Sequence, residues 1–185
     1  MKSLIIHGKG RHGHVVASAA LALGWKEVVY TDDQDGTTPP DDKWCFVAIG
    51  DNKTRKANNR KLLATVIHPR AYVDPSARLA PGVFVGANAT VHLSASVGRG
   101  AIVNTGAIVE HDCAVGDWSH VSPGAVLCGA VTLGEGVWVG ANAVIKQGIT
   151  VAPWTVIGCG AVVVKDITEP GTYIGVPAKR RANAD

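Results

Sequence analysis

Long apolar segments are missing from this chain of 185 residues, since no run approaches the roughly 18 residues that cross a bilayer. The opening residues lead directly into a glycine-rich turn and lack the long apolar region and cleavage site of a signal peptide. Charge is sparse as well, with 18% charged residues, a net charge of +3 and no basic stripe typical of nucleic-acid binding. We therefore expect a cytoplasmic protein without a membrane or nucleic-acid partner.

Cysteine is scarce and shows no pairing pattern. Cys45, Cys113, Cys128 and Cys159 are widely spaced, with no C-x-x-C motif and no histidine at metal-ligand spacing. A chain without an export signal usually keeps its thiols reduced. We expect four buried structural thiols and no metal site.

Aromatic residues form only 5% of the chain, whereas glycine occurs 22 times. A repeat of six residues replaces the large core side chains. From Ile67 to Val163 every sixth residue is aliphatic, without a gap, and the residue two places earlier is small or β-branched throughout. The residue after the aliphatic one is often Gly, Asn or Asp.

This period predicts the fold. Residues i and i−2 of a strand face the same side, so each hexad offers one large and one small inward side chain. Three hexads close a triangular coil of about 18 residues, and stacked coils bury aliphatic ladders. The sequence predicts a left-handed parallel β-helix of between five and six coils over residues 65–168. A β-sandwich does not fit, because its turns come at irregular spacings of about 8–12 residues.

Residues 1–64 show a different pattern, strand–glycine loop–helix–strand, which predicts a small α/β Rossmann-like domain. Strands are predicted over 3–7, 27–30 and 43–49, and helices over 14–23 and from Asp51 or Asn52 to about Ala64. The loop and the acidic pair that follows about twenty residues later suit a phosphate and a ribose or base. The predicted substrate-binding residues here are Gly8, Gly10, Arg11, His12, Gly13, Asp32 and Asp33. A single nucleotide is favoured, the alternatives being a degenerate packing domain or NAD.

Candidate catalytic chemistry lies on the predicted β-helix. His111 falls at a corner between Glu110 and Asp112, and Gly129 stacks directly above it, one coil further on. The histidine is a candidate general base, the carboxylate a partner for its tautomer, and the Gly129 N–H a donor to a thioester carbonyl. His92 is the rival base, and the alternative for His111 is a solvated turn residue. His120 is expected to point outward, and His12 and His14 to contact phosphate or sugar.

Outward tryptophans at positions 118, 138 and 154 favour subunit packing, with adenine stacking as the alternative. Prisms of this shape pack side by side about a threefold axis, so we expect a homotrimer with sites between subunits.

The motifs together resemble one family. They are Gly8-x-Gly10-x-His12-Gly13, Asp32-Asp33, Ile49-Gly50-Asp51-Asn52, the hexads, Glu110-His111-Asp112, Ser119-His120-Val121 and the tail Gly175-Val-Pro-Ala-Lys179. The chain resembles the bacterial sugar acetyltransferases related to sialic acid O-acetyltransferase, which include N-acetyltransferases of UDP-4-amino sugars. Arg11 departs from the family's second adjacent glycine, and Asp112 stands where glutamate is frequent.

The resemblance implies a homotrimer that uses acetyl-CoA, with the nucleotide-sugar held by residues 1–64. It implies His111 as general base beside Glu110 and Asp112. It places Asn104, His120, Gly129, Ala141 and Cys159 along acetyl-CoA and Asn52 at the substrate, with no metal. The basic residues 179–181 of the tail, residues 169–185, are equally compatible with CoA phosphates and with solvent.

The function expected is N-acetylation of a nucleotide-linked 4-amino-4,6-dideoxy sugar, UDP-linked, for surface glycan synthesis. The alternatives are O-acetylation of sialic acid or a related sugar, and a non-catalytic scaffold that binds a nucleotide-sugar.

Overall fold

The computed structural model describes residues 3–181 and consists of an N-terminal unit packed on a parallel β-solenoid. Four residues of the predicted tail, 182–185, lie outside this range. No helix of the described part is long and apolar enough to cross a membrane.

The N-terminal unit (residues 3–64) begins with strand β1, Ser3–His7, and helix α1, Arg11–Ala22, followed by β2, Glu27–Thr31. A short 3₁₀ helix, Asp33–Asp35, precedes β3, Cys45–Val47, and helix α2, Asn52–Ala57. The three strands are parallel, in the order β2-β1-β3. Ile5 and Val29 pair across the sheet, and Leu4 and Ile6 are fully buried against α1.

Both predicted helices differ from the structure in extent. Helix α1 begins at Arg11 instead of position 14, so the second half of the glycine loop is its first turn. Helix α2 ends at Ala57, not near Ala64. The chain returns to the sheet, where Cys45 donates to the Leu62 carbonyl and accepts from Ala64 N–H. Backbone pairing with β3 therefore ends the helical segment early.

The solenoid consists of two-residue strands on three faces. The first face holds β4, Val66–Ile67; β7, Phe84–Val85; β10, Ile102–Val103; β13, His120–Val121; β16, Trp138–Val139; and β19, Val156–Ile157. The second holds β5, Tyr72–Val73; β8, Thr90–Val91; β11, Ile108–Val109; β14, Val126–Leu127; β17, Val144–Ile145; and β20, Val162–Val163. The third holds β6, Arg78–Leu79; β9, Ser96–Val97; β12, Ala114–Val115; β15, Thr132–Leu133; and β18, Thr150–Val151. Strand β21, Thr172–Ile174, extends the first face and pairs antiparallel with β22, Lys179–Arg180.

The register confirms the six-residue period. Val109 pairs with Val91 below it and Leu127 above it, and the inward aliphatic and small residues form one continuous core. A left-handed backbone conformation recurs at every sixth residue from Gly82 to Gly160, with φ between 56° and 80°. The glycines directly after the aliphatic residue have another role: a Cβ on Gly116 would lie 2.5 Å from the Gly134 backbone of the next coil.

The N-terminal unit covers the first four strands of the first face. Val66, Phe84 and Ile102, which point outward from that face, are fully buried in its core. Trp118 is buried against Cys45, Val47 and Leu63 of the same chain. The expectation that Trp118 packs between subunits is therefore wrong, because its own N-terminal unit covers the indole.

Candidate active site

A pocket of about 510 Å³ opens where the parallel strands of the N-terminal unit end. Its walls come from the ends of β1 and β2, the first turn of α1 and the segment after β3. The lining residues are His7, Gly8, Gly10, Arg11, His12, Asp32, Asp33, Gln34, Ala48, Ile49, Gly50 and Thr54. Ligands of open parallel sheets bind at this carboxyl edge, beside the central strand from which the chain crosses to both sides. Six of the seven loop and acidic-pair residues predicted to bind substrate line this pocket, Gly13 being the exception.

The glycine loop is fixed by close packing. Gly8 has φ +113°, and a Cβ on Gly13 would lie 2.1 Å from the Gly8 carbonyl oxygen. Gly13 therefore allows α1 to start tightly against the loop. Gly10 caps the helix without a side-chain hydrogen bond, so its first N–H groups face the pocket region unpaired by a cap. Such a helix start attracts an anionic group.

The two carboxylates of the acidic pair have different surroundings: Asp32 is hydrogen-bonded to the backbone, whereas Asp33 is exposed. Asp32 accepts hydrogen bonds from the backbone N–H of Lys9 at 2.7 Å and of Gln34 at 3.0 Å, and these bonds lower its pKa. Asp33 is 58% exposed and lies 3.3 Å from Nε2 of the buried His7. Asp32 thus ties the loop to β2, whereas Asp33 offers acceptor oxygens to a ligand.

His12 faces the pocket as a neutral imidazole. Its ring lies edge-on to Phe84 of the solenoid with centroids 5.5 Å apart, and its Nε2 is buried without a hydrogen-bond partner. Burial, with a smaller contribution from Arg55, lowers the pKa of His12 to about 4. His14 instead contacts Tyr30, at 3.2 Å from Nδ1 to the hydroxyl, and does not line the pocket.

Asn52 lies in the contact between the N-terminal unit and the solenoid. Its Nδ2 donates to the carbonyls of Gly136 at 3.1 Å and Val137 at 3.4 Å, and its Oδ1 accepts from Arg55. The side chain is buried and does not line the pocket, so the structure does not bring it to the other predicted substrate residues.

His111 lies at the corner between the second and third faces. Its Nδ1 donates to Asp112 Oδ2 at 2.9 Å, and both side chains are more than half exposed. Because the carboxylate accepts from Nδ1–H, the neutral ring carries its lone pair on Nε2. A Cβ on Gly129 would lie 2.6 Å from His111 Nε2, as the predicted stacking requires. Gly129 N–H donates to no acceptor within residues 3–181. A base nitrogen and a free backbone donor are thus adjacent.

His120 is on the first face and is 8% exposed, because the N-terminal unit covers it. Its ring stacks on Trp138 with centroids 6.0 Å apart, and its Nε2 lies 3.0 Å from Asn104 Nδ2. Burial, then Arg55 and His12, lower its pKa to about 3. His120 does point outward from its strand, toward the N-terminal unit.

The residues predicted along acetyl-CoA occupy separate corners of one chain. Asn104, Ala141 and Cys159 lie at the corner between the first and second faces. Gly129 lies with His111 at the next corner, and the second face separates the two groups. The pocket belongs to the unit on the first face. One chain alone therefore does not assemble them.

The cysteines and the tail can be placed directly. All four thiols are free; Cys45 and Cys113 are buried, and burial raises the pKa of each to about 11. The expectation of burial is wrong for Cys159, which is exposed at a corner where side chains point to solvent.

Within residues 3–181 no cluster of three or more His, Cys, Asp or Glu could hold a metal. In the tail, Arg180 pairs with Glu169 at 3.1 Å.

Sequence reasoning missed Arg55 and the pocket wall formed by Ala48, Ile49 and Gly50. The motif Ile49-Gly50-Asp51-Asn52 pointed to this segment, but to Asn52 instead of Ile49 and Gly50. Arg55 gave no signal, because an arginine in a short polar helix normally lies in solvent.

No protein-family model matches the chain. Among solved structures, the acetyltransferase domain of PglB from Neisseria gonorrhoeae FA1090 is 36% identical, with a TM-score of 0.90, covering 98% of this chain and 100% of that one. The same domain is also known in complex with acetyl coenzyme A. PerB from Caulobacter crescentus, in complex with CoA and GDP-perosamine, is 34% identical, with a TM-score of 0.88 and 98% of each chain covered. WeeI from Acinetobacter baumannii AYE, 22% identical with a TM-score of 0.79, shares the fold.

Proposed function

The chain belongs to the hexapeptide-repeat sugar acetyltransferases, acyltransferases that use acetyl-CoA, and we propose that its acceptor is the amine of a nucleotide-linked 4-amino-4,6-dideoxy sugar, UDP-linked. The observation that carries the proposal is the His111 corner, where an imidazole held by Asp112 presents a free Nε2 beside Gly129. The Caulobacter protein, whose structure contains GDP-perosamine, supports a nucleotide-linked acceptor.

The roles of the residues follow from this geometry. His111 Nε2 accepts a proton from the sugar amine as the nitrogen attacks the acetyl carbonyl. Asp112 holds Nδ1–H and stabilises the imidazolium that forms, and Glu110 adds negative charge at the same corner. The proton then passes to the departing thiolate. The reaction forms a C–N bond and breaks the C–S bond without a covalent enzyme intermediate.

Acetyl-CoA supplies the acetyl group as a thioester. The chain offers a hydrogen-bond donor for the thioester carbonyl, because the Gly129 N–H is free and glycine has no side chain that would block the approach of the thioester. We infer that Gly129 N–H binds the carbonyl oxygen as negative charge develops there. Asn104, His120, Ala141 and Cys159 are proposed to line the rest of the path.

The pocket is proposed to hold the nucleotide. The start of α1 with Arg11 meets the diphosphate, while the exposed Asp33 accepts hydrogen bonds from the ribose or base. A nucleotide pocket is most useful when the acceptor carries a nucleotide. This consideration favours the linked amino sugar over free sialic acid as the acceptor.

We infer a homotrimer, because the proposed groups are separated within one chain. The second face carries outward Ile108, Val126, Val144 and Val162, which are only half-buried in the single chain. Packing this aliphatic face against another copy removes it from water. It also brings the His111 corner of one subunit toward the pocket side of its neighbour.

Finer features of the fold belong to the same proposal. They are the left-handed winding, the Rossmann-like character of residues 1–64, and the division into residues 1–64, 65–168 and 169–185. The parallel order β2-β1-β3, with a pocket at its carboxyl edge, supports the nucleotide-binding character. A cytoplasmic location stays a prediction.

An acetyl-transfer assay tests the substrate. Purified protein is incubated with acetyl-CoA and UDP-, GDP- or dTDP-linked 4-amino sugars, with free sialic acid alongside. We expect acetylation of a nucleotide-linked amine, fastest for the UDP form. Transfer to sialic acid alone would reverse the assignment.

Complementation tests the shared site. His111→Ala removes the base, and Gly13→Val forces a side chain onto the Gly8 carbonyl and disrupts the pocket. Each variant alone is expected to be inactive. Co-expressed chains are expected to recover activity, because mixed trimers combine an intact pocket with an intact corner. If one chain supplied both the pocket and the corner of each active site, co-expression would not restore activity.

A further inference from the structure

Arg55 on α2 is the largest fully buried side chain of the described protein, 1% exposed. None of its hydrogen-bond partners is a carboxylate. Nε donates to the Gly100 carbonyl at 2.8 Å, Nη1 to those of Ile49 and Gly50 at 2.9 and 3.0 Å, and Nη2 to Asn52 Oδ1 at 2.7 Å and to the carbonyls of Trp118 and Ser119 at 2.6 and 3.3 Å.

These acceptors come from two regions that must stay in register. Ile49 and Gly50 form a wall of the nucleotide pocket, whereas Trp118 and Ser119 lead directly into the His120 strand. One guanidinium therefore joins the pocket wall to the solenoid face on which His120 lies. A buried charge is costly unless its donors are satisfied, and here each nitrogen has an acceptor.

Two buried imidazoles stand beside this cation with an unpartnered ring nitrogen each. His12 Nε2 and His120 Nδ1 make no hydrogen bond among the described residues. Asn104 fixes the tautomer of His120. Its Oδ1 accepts from Thr105 N–H at 2.8 Å, so its Nδ2 donates to His120 Nε2. The His120 proton is then on Nδ1, a buried donor without a hydrogen bond of normal geometry, although the Gly50 backbone lies close enough to the ring to raise its pKa.

We propose that Arg55 is a positioning residue, which holds the Ile49–Gly50 wall against the His120 face so that His12 Nε2 and His120 Nδ1 face the acceptor sugar. This role rests on the proposed function: it assigns His12, which lines the pocket, to the sugar end of the nucleotide-sugar, and His120, on the proposed acetyl-CoA path, to the place where the sugar meets that path. Arg55 itself does not touch the substrate.

The positive charge contributes a second effect. After burial, Arg55 is the next cause that lowers the pKa of both His12 and His120, and His12 adds to the effect on His120. Asp51 raises the pKa of Arg55 and so helps to keep it charged, whereas the Gly50 backbone opposes the effect by raising the pKa of His120. Burial and, after it, Arg55 thus keep both rings neutral, with one lone pair or one N–H available for hydrogen bonding.

Lysine cannot reproduce this arrangement, although it keeps the charge. An ammonium has three donors around one atom, whereas the planar guanidinium spreads five donors over acceptors from both regions. Arg55→Lys therefore removes the hydrogen-bond geometry but keeps the charge, whereas Arg55→Gln removes both. Arg99→Gln is the matched control, because Arg99 also bridges the two regions, through Asn59 Oδ1 and the Arg60 carbonyl, away from the pocket wall.

Nitrogen-15 NMR of the imidazoles is the readout that a merely structural role would not move. In the wild type we expect His12 and His120 to stay neutral until about pH 4 and about pH 3. Arg55→Gln is expected to raise both titrations, while Arg55→Lys and Arg99→Gln keep them low. Unchanged titration in folded Arg55→Gln would contradict the electrostatic part.

Kinetics test the positioning itself. For Arg55→Lys we expect kcat/KM for the nucleotide-sugar to fall about ten- to a hundredfold, with binding of UDP or GDP alone weakened less. Arg99→Gln is expected to keep wild-type values. If Arg55→Gln fails to fold, the lysine variant decides, and wild-type kcat/KM in it would overturn the proposal. A wild type that acetylates no sugar would refute the function instead, while nucleotide binding and ring titration still test Arg55.

Discussion

The solenoid and the N-terminal unit obey different rules. In the solenoid, each residue contacts its equivalents about 18 positions away, and the same corner conformation recurs from Gly82 to Gly160. In the N-terminal unit, one pocket is formed by residues 7, 8, 10–12, 32–34, 48–50 and 54. Periodicity therefore determines the shape of one region, whereas contacts between distant segments determine the other. The proposed chemistry needs both, since the proposed base, His111, lies on the solenoid and the proposed nucleotide pocket does not.

The largest effect is expected when the proposed base, His111, is removed from the solenoid. We expect His111→Ala to lower kcat by about a hundred- to ten-thousandfold without loss of stability, because the side chain is 57% exposed. His92→Ala, one coil below at the same corner, is the control and is expected to keep most activity. Steady-state kinetics with thermal unfolding would measure both. Full turnover in His111→Ala would refute the assignment.

Core truncation compares the two regions at equal chemistry. Leu127 of the solenoid and Leu4 of the N-terminal unit are both fully buried. We expect each change to alanine to lower the free energy of unfolding by about 2–5 kcal/mol. Urea denaturation would measure this. Nucleotide binding is expected to weaken only in Leu4→Ala, because Leu4 supports the strand that ends at the pocket. If nucleotide binding weakened equally in both variants, the two regions would not be separable.

Gly129→Ala probes the corner without touching the base. The added Cβ would lie 2.6 Å from His111 Nε2, so the ring has to move. We expect kcat to fall about tenfold or more with little change in stability. Gln147→Ala, directly above Gly129 at the same corner, is expected to behave as wild type. An active Gly129→Ala enzyme would show that the stacking of these two residues is not used.

The last expected effect is a pH dependence of stability at the contact between the regions. The pKa of His12 is about 4 and that of His120 about 3 in the folded chain, below the ordinary 6.5. Below about pH 6.5 the unfolded chain therefore binds protons that the folded chain does not. Stability is expected to fall as the pH drops from about 6.5 toward 4, and to fall less in His120→Gln. Urea denaturation at several pH values would measure the difference, and identical slopes would contradict it.

Prediction from sequence succeeded where the contacts are periodic. The spacing of His111 and Gly129 was enough to place them together, because a parallel coil keeps the same register for every residue. It failed for α2, which ends at Ala57 when the chain pairs again with β3. It also failed for Trp118, whose outward position was correct but whose cover is its own N-terminal unit.

The sequence by itself determined the three-sided coil, its inward ladders and the stacking of Gly129 on His111 at its corner, because residue i and residue i+18 are forced into register by a strict period. Only the tertiary structure decided that Asn52 faces the solenoid, that His120 is covered and that Arg55 is buried. These features depend on how two separately patterned regions meet. No local sequence pattern predicts this contact. Its hydrogen bonds join one side chain to backbone carbonyls far away in the chain, and every residue carries such a carbonyl.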